Sequence, residues 1–231
     1  MNALLLLLLD SRAPAGAQHH SGGMEPATEI AMVRNVEQVA QFCRGRLRTS
    51  ARVSAAFAAA ACHAWQGSRD AMQWELLEAE LTARLPSAAS RVASRQMGNG
   101  LGRLVRTMVP ECDFGRLWRA VAPLSPHHSV VLGAAVALAG GDALLAARAA
   151  ALGSCTAPAS AAVRLLGLDP FAVHGMLAEL TDDIDEVAAE CAAMCSPGRY
   201  SGPRSLPSDS APALDLLADF HVTTEVRLFA S

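Results

Sequence analysis

The chain has 231 residues, 52% of them hydrophobic but only 4% aromatic, and a formal net charge of −3 at neutral pH. That length supports one good core, and the slightly acidic balance argues against nucleic acid as the main partner. All 19 basic residues are arginine, so chemistry that requires a lysine, from a Walker A motif to a Schiff base, is excluded.

Leu4 to Leu9 looks at first like a leader peptide, but it has no basic flank and ends at Asp10. Secretory apolar cores run about 7–15 residues and a spanning helix needs roughly 20, so this run reads as a short buried helix. A loop from Asp10 to Glu25 follows, in which Pro14 fixes one dihedral and Gly16, Gly22 and Gly23 permit conformations a β-carbon forbids. Ser21 is the expected N-cap of the next helix, with Met24 and Glu25 in its first turn. A long loop this rich in special residues reads as a contact surface rather than a connector.

Alanine and leucine dominate while isoleucine, tyrosine and phenylalanine are scarce, which favours helices throughout. Alanine buries little area, so close helix packing, often against another subunit, is the expected use of so much of it. One or two helices are expected over Met24–Arg48, then an alanine-rich helix Ala51–Trp65 and a charged one Arg69–Arg84. Leu85-Pro86 turns the chain, and a helix runs on to Met108, with Gly98, Gly100 and Gly102 allowing a neighbour close approach. After Pro126-His127-His128 come helices Ser129–Leu138, Ala143–Leu152 and Thr156–Leu166. Asp169 and Pro170 then form an N-cap and first-position pair. Leu177, Leu180, Ile184, Val187, Cys191 and Met194 repeat at intervals of three and four, the stripe of a single helix. Its other face, with Glu179, Asp182, Asp183, Asp185, Glu186 and Glu190, is solvated or meets a basic partner.

The predicted architecture is all-α, a single-domain bundle of about ten short helices with a flexible C-terminal tail. Residues 1–195 form the helical domain, 196–210 a flexible Pro/Ser/Gly-rich linker, and 211–231 a last helix and tail. Arg148 and Arg164 interrupt the later alanine-rich stretches, so no membrane span is expected. Six cysteines without a CxxC pair suit free thiols in a reducing cytoplasm, the expected compartment.

Several segments, collinear over essentially the whole chain, resemble one known family. Ser11-x-x-Pro14-x-Gly16 followed by Ser21-x-Gly23-x-Glu25 is similar to the N-terminal signature of the urease accessory protein UreF family. Ala93-Ser94-Arg95-Gln96-Met97-Gly98 resembles its Ser-Arg-x-x-Gly helix, and Ala157 to Arg164 its small-residue helix ending in arginine. Pro212-x-Leu214-Asp215, His221 and the terminal Arg227-Leu228-Phe229-Ala230-Ser231 resemble its C-terminus.

The resemblance implies a helical, dimerising protein with no catalytic residues and no tightly bound cofactor, active in nickel insertion into urease. It would bind a UreD/UreH-type accessory protein through its termini, dock the UreG-type GTPase that carries nickel, and act on the urease apoprotein. The partner-binding positions it implies are Pro14, Gly16, Ser21, Gly23, Glu25, Arg95, Arg164, His221, Arg227, Leu228, Phe229 and Ser231. Nucleic acid and membrane are not among the implied partners.

The remaining candidates are weighed on their own chemistry. His19-His20 is a candidate metal relay, since neutral imidazole suits nickel, although adjacent histidines seldom face one ion together. His127-His128 reads as helix capping and surface chemistry. Cys191 and Cys195 have ligand-compatible spacing, but Cys191 belongs to the apolar stripe and core packing is the better reading. Arg91, Arg95, Arg103 and Arg106 share a helix face, and pairing with Glu75, Glu78 and Glu80 on the preceding helix is favoured over a partner surface, Arg95 excepted. Arg227 and Phe229 combine a bidentate donor with an aromatic anchor, residue types enriched at interface hot spots, so the tail is expected to be mobile alone and to order on the partner. A stand-alone nickel carrier and a helical DNA-binding regulator are the alternatives.

Overall fold

The structure, a computed structural model, describes residues 2–10, 13, 20–67, 71–196 and 198–222, with the backbone alone for 220–222. Among them are twelve α-helices and no strand: α1 (Ala3–Leu9), α2 (Met24–Glu29), α3 (Val36–Leu47), α4 (Ser50–Gln66), α5 (Ala71–Ala83), α6 (Ala88–Met108), α7 (Arg116–Val121), α8 (His128–Leu138), α9 (Ala143–Leu166), α10 (Pro170–Glu179), α11 (Thr181–Met194) and α12 (Pro212–Val222). The all-α expectation holds, with two more helices than expected.

The core is built around α4, which packs against α8, α9 and α11. Its alanines Ala55, Ala56 and Ala58 to Ala61 are completely buried. Small side chains let backbones approach: a Cβ placed on Gly133 of α8 would lie 2.1 Å from the Ala58 carbonyl oxygen of α4. The alanine content therefore serves helix packing inside this one chain. Gly98 and Gly102 do the same on α6, where a Cβ would meet the Pro126 carbonyl oxygen at 2.2 Å and the Trp118 ring at 1.9 Å.

Short polar caps begin five of the helices. Asn2, Asn35, Ser87, Asp142 and Asp169 each accept a hydrogen bond from a first-turn amide, satisfying donors that have no intrahelical partner. Pro170 sits in the first turn after Asp169 as expected.

Two elements differ from the sequence expectation. The two helices expected over 143–166 are one, with Pro158 inside it. Proline removes the N–H that would serve the carbonyl of Ser154, and a side chain from α3 replaces that donor, so the helix continues. By length and composition this 24-residue helix is also apolar enough to cross a membrane, despite Arg148 and Arg164; here it packs against α4, α11 and α3. Conversely, the stripe from Leu177 to Met194 spans two helices, which meet at Leu180. The step is a single residue, so Leu180, Ile184, Ala188 and Cys191 still share the buried side and the spacing does not register the break. Segment 196–210 carries a short 3₁₀ turn (Pro203–Ser205) with Pro203 and Leu206 buried. Arg84, in the turn just after α5, donates to the carbonyl oxygens of Pro207 (2.9 Å), Leu206 (3.2 Å) and Arg204 (3.3 Å), and Arg52 pairs with Asp209 at 2.9 Å.

Candidate functional site

The loop before α2 is fixed by backbone geometry and one arginine. Gly22 and Gly23 adopt φ of +60° and +87°, a left-handed turn that side-chain-bearing residues rarely enter. Gly23 is the N-cap of α2 and offers no side-chain acceptor, so Ser21 is not the cap. Instead the Ser21 carbonyl accepts from Met24 N–H at 3.1 Å, while its hydroxyl is buried with no hydrogen-bond partner among the described residues. Arg46 of α3 closes the turn from below: Nη1 donates to Gly22 O at 2.8 Å and Nε to Ser154 O at 3.0 Å. Burial lowers the Arg46 pKa from its ordinary value, which still leaves the guanidinium charged at neutral pH.

The C-terminal helix reaches the same place. Leu214 of α12 packs over Gly23, and Ser87, the cap of α6, donates to Asp219 at 2.5 Å while accepting from Ser90 N–H at 3.1 Å. Between this loop, α4, α6, α9 and α12 lies a cavity of about 260 Å³, whose wall includes His20, Gly23, Arg46, Ser94, His128 and Asp215.

Behind the cavity is a buried polar network that joins α5, α6 and the start of α8. Glu78 Oε1 accepts from His127 N–H at 2.8 Å, and Oε2 pairs with Arg95 Nη1 at 3.1 Å. Arg95 also donates to Ser125 O and, at 2.9 Å, to the Thr82 hydroxyl. Thr82 spends its one hydroxyl proton on Glu78 O at 2.7 Å, so at 3.0 Å from His127 Nε2 it acts as acceptor. His127 is therefore the Nε2–H tautomer. Its Nδ1 accepts from Ser94 Oγ at 3.0 Å, and Ser94 in turn accepts from His128 N–H at 3.3 Å.

The electrostatics fit a neutral imidazole. Burial, reinforced by the charges of Arg95 and Arg91, pulls the His127 pKa down to about 3. Burial and the nearby His20 pull His128 down to about 4. Burial pushes Glu78 up to about 7, against the opposing pull of the His127 amide and Arg95.

The expected site residues divide clearly. Gly23, His20 and Arg95 are brought to the cavity wall or directly behind it, and Ser21 and Glu25 are buried beside them. Arg164 is exposed near the end of α9 and does not line the cavity. His221 lies in the last turn of α12, its side chain outside the described residues. Pro14, Gly16, His19, Arg227, Leu228, Phe229 and Ser231 also lie outside the described residues. His127 overturns its capping-and-surface expectation, since it is wholly buried and its ring caps nothing. The arginine face of α6 is not one surface: Arg95, the one residue excepted from pairing, is the one that pairs with Glu78, while Arg91 binds the carbonyls of Leu85 and Pro86 and Arg106 stacks on Trp118. Sequence reasoning missed Arg46 and Arg84, although a proline inside a helical stretch signals that some donor must serve the carbonyl four residues earlier.

Fold and site together define an all-helical, single-domain protein in which an N-terminal glycine turn and the C-terminal helix border the same cavity. The UreF family model matches residues 33–181. The chain is 38% identical over 229 residues to the urease accessory protein UreF of Mycolicibacterium vanbaalenii, covering 99% of this chain and 98% of that one. It is equally similar, over the same shares, to that of Mycobacterium marinum, and 37% identical over 233 residues to that of Mycobacterium tuberculosis. The chain belongs to the UreF family of urease accessory proteins.

Proposed function

We propose that this chain is a non-enzymatic cytoplasmic adaptor in nickel metallocentre assembly. It bridges a UreD/UreH-type protein and the UreG-type GTPase, as a homodimer within the complex, and modulates GTP-dependent nickel delivery to the urease apoprotein. Nickel is cargo in this reading, not a resident cofactor.

The observation that supports it is the convergence of the two terminal motifs. The Ser21–Glu25 turn and α12 are remote in sequence, yet Leu214 packs on Gly23, and Arg46 and Ser87 hold the two pieces to the same core. A partner gripping both termini would meet one composite surface, with the tail bearing Arg227 and Phe229 following directly on α12. Membership of an accessory-protein family supports the division of labour, in which nucleotide chemistry belongs to another subunit.

The test is GTP hydrolysis by the UreG-type protein, measured alone, with this chain, and with this chain plus the UreD/UreH-type protein. The adaptor reading expects a changed hydrolysis rate only when all three are present. A rate untouched by this chain in every combination would overturn it.

A further inference from the structure

Cys43 of α3 and Cys155 of α9 face each other across the helix crossing that Arg46 holds together. Both are completely buried. The Cys43 thiol donates to the Cys155 carbonyl oxygen at 3.7 Å, which brings the two residues into contact across the crossing. Arg46, one helical turn after Cys43, binds the carbonyl of Ser154, the neighbour of Cys155. A fixed cation therefore stands beside two contacting cysteines on different helices.

We infer that Cys43 and Cys155 form an oxidisable dithiol, which hydroperoxides convert to a disulfide that ties α3 to α9 beneath the Gly22–Gly23 turn.

The electrostatics supply the division of roles. The Cys155 thiol, against the opposing effect of burial, and the charges of Arg46 and Arg44 hold the Cys43 pKa below its ordinary value, while its hydrogen bond to Cys43 and burial raise that of Cys155. Cys43 as thiolate attacks the peroxide, breaking the O–O bond, forming a sulfenic acid and releasing an alkoxide or hydroxide that takes up a proton. The Cys155 sulfur then attacks the Cys43 sulfur and breaks its S–O bond. The hydroxide leaves as water with the Cys155 proton, so two thiols and one hydroperoxide give a disulfide, an alcohol (water, when the oxidant is hydrogen peroxide) and water. Both sulfurs are covered, so the reaction waits on local separation of α3 and α9 and is slow. The other buried thiols are poorer nucleophiles, with Cys62, Cys191 and Cys195 each pushed up to about 12, mainly by burial.

The test treats the full-length chain with hydrogen peroxide, alkylates remaining thiols under denaturing conditions, and maps the unreduced digest by mass spectrometry. The expected result is loss of two of the six alkylatable thiols and a linked Cys43–Cys155 peptide. The Cys155→Ser variant should stop at a Cys43 sulfenic acid that dimedone traps, and Cys43→Ser should keep its five thiols, each variant being checked for native helicity first. Six free thiols after oxidation, or a bridge joining Cys62, Cys191 or Cys195 instead, would overturn the inference.

Discussion

Arg46 Nε lies 3.0 Å from the carbonyl oxygen of Ser154, the acceptor that Pro158 leaves without its helical donor. One side chain thus repairs an α9 defect while also holding Gly22 O, so the continuity of a core helix and the shape of the N-terminal turn depend on the same guanidinium.

Removing it should be expensive in a way that Pro158 controls. Arg46→Ala forfeits two charge-assisted bonds and should destabilise the fold by about 2–4 kcal/mol in urea unfolding. In a Pro158→Ala background the backbone N–H restored by that substitution serves Ser154 O, and the cost of Arg46→Ala should shrink by about 1 kcal/mol. Equal costs in both backgrounds would show that the Ser154 bond contributes nothing.

Glycines in this chain should respond to alanine with opposite signs. Gly133→Ala drives a Cβ to 2.1 Å from a backbone oxygen of α4, where neither helix can yield cheaply, and should destabilise by about 2–3 kcal/mol or more. Gly175→Ala in α10 meets nothing within 4 Å and should stabilise by about 0.5–1 kcal/mol through helix propensity. Paired thermal melts check both.

Stability should peak near pH 6.5. Unfolding raises the pKa of His127 from about 3, and of His128 from about 4, back to about 6.5, so each takes up a proton on unfolding below that pH. Glu78 has the reverse sign: its pKa of about 7 falls to about 4.5 on unfolding, so it releases a proton in that window. Between pH 4.5 and 6.5 two protons are taken up and one released, and stability should rise with pH by up to about 1.4 kcal/mol per unit. From 6.5 to 7 Glu78 acts alone and stability should dip slightly. Glu78→Gln should steepen the acid limb toward about 2.8 kcal/mol per unit and abolish the dip, as urea titrations at stepped pH would register.

What the sequence disclosed and what it hid follow from the range of each interaction. Asp169-Pro170 announced α10 because a cap and a fixed φ act within three residues. Gly98 and Gly102 announced a close approach because nothing else justifies glycine mid-helix. The Leu180 break stayed hidden, since a one-residue step leaves a buried stripe intact. The continuity of α9 across 153–155 stayed hidden too, because the donor that serves the carbonyl freed by Pro158 is 108 positions away in sequence. The same distance explains the candidate site: Ser21, Gly23, Glu25 and Arg95 were singled out by local motif, but neither the Arg46 clamp nor the Glu78–His127 pairing has a local signature.

The most direct measurement of the central claim is co-purification of this chain with its UreD/UreH-type and UreG-type proteins, with complex mass determined for the full-length chain and for a truncation before Arg227. The adaptor account predicts a stable assembly containing all three with the full-length chain, and loss of the UreD/UreH-type partner from the truncation, whose helix content stays nearly unchanged. A well-folded full-length chain that joins neither protein, or a truncation that binds both as tightly, would contradict it.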